Sequence, residues 1–150
     1  MSSCFFTGHR TLKNDFSIEE LDGAIERFIQ KGATCFYNGM AQGFDLLAAE
    51  RVLKKKEKYP KIKLIACIPF YGQERSMSEV DKQRYVQVLK KADEQRLISY
   101  QYTKYCYMKR NQYMVDESDY MIAYLREKKG GTYNTVLYYE KKKNGEKIFL

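Results

Sequence analysis

Short apolar runs, each followed at once by a glycine-bearing loop and then by a helix-periodic segment, constrain this chain more than any other feature. Three such loops occur: Thr7-Gly8-His9-Arg10, Asn38-Gly39-Met40-Ala41-Gln42-Gly43 and Gly130-Gly131-Thr132. The alternation predicts an α/β chain whose mainly parallel sheet is wound with helices on both faces. Glycine lets the backbone turn sharply and brings N–H groups close to an anion with no Cβ in the way. Where the loop opens a helix, orphan amides and the positive end of the macrodipole face the same point. Three loops of this kind predict a phosphate-bearing ligand at the C-terminal ends of the strands.

The predicted strands are Cys4 to Thr7, Ala33 to Tyr37, Leu64 to Pro69, Arg96 to Ser99, Tyr120 to Leu125 and a last one near Lys147 to Leu150. Leu64-Ile65-Ala66-Cys67-Ile68 is continuously apolar, as a strand covered on both faces requires. Between them, Ser17 caps a helix with Glu20 three residues on. Leu21, Ala24, Ile25, Phe28 and Ile29 then share one face, and Gly32 stops it. Further helices are read from about Phe44 to Lys56, Ser78 to Lys91, Lys104 to Glu117 and Tyr133 to Lys143. The 150 residues fit one domain, with no internal repeat or low-complexity linker.

The net charge of +8 raises nucleic acid as a partner, so the position of the lysines matters. Lys54, Lys55, Lys56 and Lys58 end one helical stretch, and Lys141, Lys142 and Lys143 end another. There they complement helix C-termini at the sheet edge opposite the ligand crevice, which makes nucleic acid the less favoured partner. Cys4, Cys35, Cys67 and Cys106 form no C-x-x-C pair and read as reduced core residues of a cytoplasmic protein. No stretch approaches the roughly 18 apolar residues of a membrane span. His9 is the sole histidine, which excludes a multi-histidine metal site, and no metal is expected.

Phe6-Thr7-Gly8-His9-Arg10, Gly39-Met40-Ala41-Gln42-Gly43-Phe44-Asp45, Ile68-Pro69-Phe70 with Gln73, and Arg110-Asn111-Gln112-Tyr113-Met114-Val115-Asp116 resemble the YpsA-like branch of the SLOG superfamily. The resemblance covers nearly the whole chain and implies a Rossmann-like fold. It also implies a small nucleotide-derived ligand such as ADP-ribose or a nucleoside phosphate, no required cofactor and, on its own authority alone, a homodimer. Related branches include the Lonely Guy phosphoribohydrolases and DNA-processing protein A. The hydrolase pattern runs Arg-Lys-x-x-Met, Ser/Ala-Asp, then Gly-Gly-x-Gly-Thr-x-x-Glu. Arg110, Met114, Ser118 and Asp119 match its first half, and Gly131 and Thr132 stand for its Gly-Thr pair, but Thr135 occupies the position of the catalytic glutamate.

A carboxylate stabilises the oxocarbenium-like centre of N-glycosidic cleavage, and threonine carries no such charge. Glu140 is five residues past Thr135, on another helical face. Asp45 is the substitute carboxylate and Arg110 its catalytic companion if the chain is a phosphoribohydrolase. The leading expectation is ligand binding or sensing, hydrolysis the alternative, and a DNA-binding module like DNA-processing protein A a third reading carried by net charge.

The expected ligand-binding set comprises Thr7, Gly8, His9 and Arg10 of the first loop and Gly39, Met40, Ala41, Gly43 and Asp45 of the second. Pro69 and Gln73 follow the third strand, Arg110 and Asn111 lie in a helix, and Gly130, Gly131 and Thr132 form the third loop. A guanidinium fork suits phosphate oxygens. Thr132 could cap its helix while touching phosphate. Tyr100, Tyr102, Tyr105 and Tyr107 either stack a base or, the preferred reading, pack their helix on the sheet or form an oligomer surface.

Overall fold

Strands β1 (Ser2–Gly8), β2 (Ala33–Asn38), β3 (Lys63–Ile68), β4 (Glu94–Leu97), β5 (Tyr120–Tyr124) and β6 (Lys147–Phe149) alternate with helices α1 (Ile18–Gln30), α2 (Phe44–Lys56), α3 (Glu79–Lys91), α4 (Cys106–Asp116) and α5 (Gly130–Lys142) in a computed structural model that describes residues 2–150. The strands form one sheet in the order β4-β3-β2-β1-β5-β6, and every neighbouring pair is parallel. The chain starts in the middle of the sheet at β1, builds outward to β4, then returns to lay β5 and β6 on the other side of β1. This is the doubly wound, Rossmann-like α/β arrangement that the alternating sequence predicts.

The period of two along each strand sorts side chains between the two layers. Cys4 and Phe6 of β1, Leu64 and Ala66 of β3 and Ile122 and Tyr124 of β5 join one buried cluster with Leu21, Ile25 and Phe28 of α1, Leu46 and Val52 of α2 and Tyr85 and Val88 of α3. Phe5, Ile65, Cys67, Met121 and Ala123 point the other way, against Met114 and Val115 of α4 and Val136 and Tyr139 of α5. Helices therefore cover both faces. The cysteines are all free thiols, Cys4, Cys67 and Cys106 buried and Cys35 partly so.

Ser17 caps α1 by accepting the Glu20 N–H at 3.2 Å, and Gly32 follows the helix with φ +100°. Several boundaries depart from expectation, among them the starts of β1 at Ser2 and of α4 at Cys106. β4 begins at Glu94 rather than Arg96, because Asp93 clamps it to β3: its N–H donates to the Leu64 carbonyl at 2.9 Å and its Oδ2 accepts the Leu64 N–H at 2.8 Å. An edge strand tolerates the charges of Glu94-Gln95-Arg96, so hydrophobicity did not mark it. A 3₁₀ turn, Gln73–Ser76, precedes α3. α5 starts at Gly130 rather than Tyr133, which makes the third glycine segment the first turn of the helix itself.

The lysine runs end α2 and α5, as read from the sequence. Lys55, Lys56 and Lys54 lie 3.1, 2.5 and 3.4 Å from Glu26, Asp93 and Glu57, and Lys142 lies 3.5 Å from Asp116. Exposed pairs of this kind add little stability, but they neutralise much of that edge. Among the described residues no helix is long and apolar enough to cross a membrane.

Candidate functional site

β1 and β5 are neighbours whose following segments leave toward opposite faces, and a crevice opens where they part. A cleft of about 530 Å³ lies there. Thr7, Gly8, His9 and Arg10 line it from the end of β1, Ala41 and Asp45 from the second loop and the start of α2, Arg110 and Asn111 from α4, and Gly130, Gly131 and Thr132 from α5. Tyr107, Glu127 and Lys129, absent from the expected set, complete much of the wall. Glu127 and Lys129 sit in an exposed turn after β5 that has no hydrophobic pattern, so periodicity gave no handle on them.

Gly39, Met40, Gly43, Pro69 and Gln73 do not line this cleft; four of them sit behind it as support and Pro69 is simply buried at the end of β3. The Gly39 carbonyl accepts from Arg110 Nη1 and from Gln73 Nε2, the latter at 3.2 Å. A Cβ on Gly39 would stand 2.7 Å from the Arg110 guanidinium carbon. Gly43 holds φ +81°, with the Arg10 carbonyl oxygen where a Cβ would be. Met40 is fully buried with φ 61°, an uncommon backbone conformation for a side chain of that size.

Asn38, the first residue of the second glycine loop, is outside the expected ligand-binding set and holds this loop together. Its Oδ1 accepts the Met40 N–H at 2.8 Å and its Nδ2 donates to the Asp45 carbonyl at 2.7 Å. Replacing it with alanine orphans the buried Met40 N–H and removes a second bond from the Asp45 carbonyl, which stays within the α2 ladder. Asn38→Ala is therefore expected to lower stability by about 1–3 kcal/mol in urea unfolding.

Arg110 is 4% exposed. Besides Gly39, its Nη1 donates to the Cys67 carbonyl at 3.4 Å and its Nε to Asn111 Oδ1 at 2.9 Å. Burial pushes the guanidinium below its ordinary range and Asp45 pulls it back; arginine remains a cation. Asp45 is 6% exposed, and its Oδ1 finds no hydrogen-bond partner among the described residues. Burial raises its carboxyl to about 6 against the opposing pull of Arg110.

Between about pH 4 and 6 the folded chain retains a proton on Asp45 that the unfolded chain has released, so this group's contribution falls as pH rises through that window and is level above it. Asp45→Asn removes the penalty. Relative to the parent it is expected to be equal in stability near pH 4 and about 2–3 kcal/mol more stable at pH 7.5, measured as paired urea curves.

His9 Nε2 accepts the Arg126 N–H at 2.8 Å, and burial lowers the imidazole below its ordinary value. A neutral ring with that tautomer ties the ends of β1 and β5 together while one edge lines the cleft. The first turn of α5 has no side-chain cap, whereas α1 and α3 are capped by Ser17 and Ser78. Lys129, not Thr132, occupies the N-cap position, so Thr132 does not cap; it lies within the first turn, where its backbone already carries helical geometry. Gly130, Gly131 and Thr132 thus present uncapped helix amides to the cleft.

Of the hydrolase-like positions only Arg110 and the Gly131-Thr132 pair reach the cleft. Met114 is core, while Ser118 and Asp119 stand at the start of β5, at the opposite edge, where Asp119 Oδ2 accepts the Ser3 N–H. The Thr135 hydroxyl donates to the Gly131 carbonyl at 2.7 Å, and Glu140 pairs with Lys147 at 3.4 Å. Of the two halves of the preferred reading for the tyrosines, packing of the helix on the sheet does not hold for most of them. Tyr100, Tyr102 and Tyr105 are 72%, 63% and 52% exposed, and only Tyr107 is partly covered. Among the described residues no group of His, Cys, Asp or Glu is arranged to hold a metal.

Fold and cleft together define a Rossmann-like α/β protein with a crevice at the carboxyl ends of its strands. The family model described as the YspA SLOG family matches residues 6–149, and the chain belongs to that YpsA family. It is 30% identical over 106 residues to UPF0398 protein YpsA of Bacillus subtilis, covering 69% of this chain and 59% of that protein. The SPbeta prophage-derived protein YoqJ of the same species is 31% identical over 144 residues, with 87% and 84% covered. The chain thus spans about three fifths of YpsA and most of YoqJ. DNA processing protein A of Streptococcus pneumoniae shares the fold at TM-score 0.63 and 16% identity, covering 99% of this chain and 50% of that one. DNA processing protein A of Helicobacter pylori, described for its single-stranded DNA binding mode, does so at 0.66 and 18%, covering 93% and 61%.

Proposed function

We propose that this chain binds, as a sensor or carrier, a nucleotide or nucleotide-derived ligand such as ADP-ribose or a nucleoside phosphate. One observation carries the reading. An uncapped helix N-terminus and a buried guanidinium, with the buried Asp45 carboxyl beside them, meet at one 530 Å³ cleft. Phosphate oxygens match the α5 amides and the cations Arg10, Arg110 and Lys129. A ribose hydroxyl can accept from the Asn111 amide, whose own oxygen is taken by Arg110. The single-stranded DNA binding described for the Helicobacter pylori neighbour accords with nucleotide phosphates as cargo. Four free thiols accord with a reducing cytoplasm.

A nucleotide or ADP-ribose at one hundred times its Kd should stabilise the fold by about 2.7 kcal/mol, or roughly 5–11 °C in Tm for a chain of this size. A panel of nucleoside phosphates, ADP-ribose and free nucleosides in a thermal shift assay reads this directly. A flat response across the panel contradicts the proposal.

A second reading, hydrolysis of a nucleoside 5′-monophosphate to free base and ribose 5-phosphate, is favoured by Asp45 alone, whose carboxyl titrates near neutrality beside Arg110. Chromatography of each monophosphate after long incubation separates the two. Binding without cleavage leaves every nucleotide intact; free base whose release is lost in Asp45→Asn establishes the hydrolase.

A further inference from the structure

Tyr107 forms a wall of the cleft and also begins a row of aromatic rings that leaves it. Phe70 meets Tyr107 edge-on at 5.9 Å between centroids and Tyr102 at 5.4 Å. Its chain neighbour Tyr71 stacks on Tyr100 at 5.6 Å with the planes 4° from parallel. Tyr71, Tyr100 and Tyr102 are 58%, 72% and 63% exposed, so these rings stand largely in water rather than in the core.

Charge along the row differs from charge at the opposite edge. Arg10 lies over Tyr107 at 5.9 Å, Arg75 over Tyr71 at 5.7 Å and Lys104 over Tyr105 at 5.4 Å. Among the described residues none of these three cations enters a salt bridge, although Glu74 adjoins Arg75 in sequence, whereas Lys54, Lys55 and Lys56 are all paired with carboxylates. The surface thus combines rings open to stacking with cations open to anions, and it is continuous with a cleft shaped for a phosphate.

We infer that the row is a docking track for single-stranded nucleic acid, with one phosphate seated in the cleft and neighbouring bases stacked on the exposed tyrosines. A lone mononucleotide fills the cleft and leaves Tyr71 and Tyr100 uncovered; a strand of several nucleotides covers both. Stacking on aromatic rings beside a cationic groove is how strands are held without reading their sequence. A second copy of this chain is a poorer occupant, because its net charge of +8 sets like charges face to face. The inference rests on the reading of the cleft as a nucleotide site.

Fluorescence anisotropy with a labelled twelve-residue oligothymidylate tests it, together with a Tyr71→Ala/Tyr100→Ala double variant whose changes lie on the surface. The parent should bind the strand, more weakly as salt rises, and more tightly than the corresponding duplex. The double variant should bind it at least tenfold more weakly while its thermal shift with ADP-ribose or a nucleoside phosphate stays that of the parent. No binding of the strand, or a double variant within twofold of the parent, overturns the track; a nucleotide-induced shift that persists in that case leaves the cleft reading intact. Tyrosine-dependent strand binding with no shift from any small nucleotide keeps the track and overturns the cleft reading. Light scattering that shows a dimer in the parent and a monomer in the double variant assigns the row to self-association and also overturns the track.

Discussion

Replacing Gly43 with alanine is expected to lower the stability of this chain by about 3 kcal/mol and its Tm by roughly 6–12 °C. Two costs coincide at this residue. The backbone sits at φ +81°, where a Cβ is strained, and that Cβ would lie 2.1 Å from the Arg10 carbonyl oxygen. The obstacle is backbone rather than the far end of a flexible side chain, so relief requires the first and second loops to separate. Phe44 N–H donates to the His9 carbonyl at 3.1 Å in the same contact, and that bond goes with it. Because the two loops form adjoining walls of the cleft, nucleotide binding should fall together with stability. A Gly43→Ala chain that melts within 2 °C of the parent would show that the loops yield easily and do not fix the site.

Arg110→Ala is expected to abolish the nucleotide-induced rise in Tm, a loss of at least tenfold in affinity by titration calorimetry, since a charged hydrogen bond to phosphate contributes about 1.5–3 kcal/mol. The guanidinium is positioned before any ligand arrives, held by the carbonyls of Gly39 and Cys67 and by Asn111 Oδ1. Little ordering entropy therefore remains to oppose binding. Arg110→Lys keeps the charge but loses the fork, and should recover only part of the affinity. The alanine variant should also move Asp45 above its value of about 6, because Arg110 is the largest influence holding that carboxyl down. A carbon-detected NMR titration reads this independently of any ligand. Retained affinity in Arg110→Ala would remove the buried cation from the site.

Much of this cleft was legible because glycine and hydrophobic period are local signals. Leu64-Ile65-Ala66-Cys67-Ile68 had to be a covered strand, and the loops after β1 and β2 had to stand at its carboxyl edge. The topological switch followed once the strands were parallel. Roles within the site were less legible, since they depend on contacts between residues distant in sequence. Gly39 looked like a ligand glycine, yet its carbonyl anchors Arg110 across 71 positions. Gly43 likewise serves the packing of two loops.

Glu127 and Lys129 carried no periodic signal, and only the folded chain places them on the cleft wall; Asn38 was visible as a loop residue, but its hold on the Met40 N–H and the Asp45 carbonyl was not. The tyrosines show the converse limit. Their spacing before α4 is compatible with packing, but the sheet face there is already filled by Ile65, Cys67, Met114 and Val115, which leaves the rings outside. Net charge was similarly uninformative until the pairing of each lysine was known.

Gly131→Asp isolates the central claim from folding. Space around Gly131 is open to a Cβ, and an acidic residue in the first turn of a helix complements its dipole, so the apo protein should be as stable as the parent. The same carboxylate, placed on the cleft wall, repels an anion from the α5 amides. Titration calorimetry of parent and Gly131→Asp with ADP-ribose and nucleoside phosphates, matched for Tm beforehand, should give saturable binding in the parent and none in the variant. Equal binding by the two proteins would contradict a phosphate site at the N-terminus of α5.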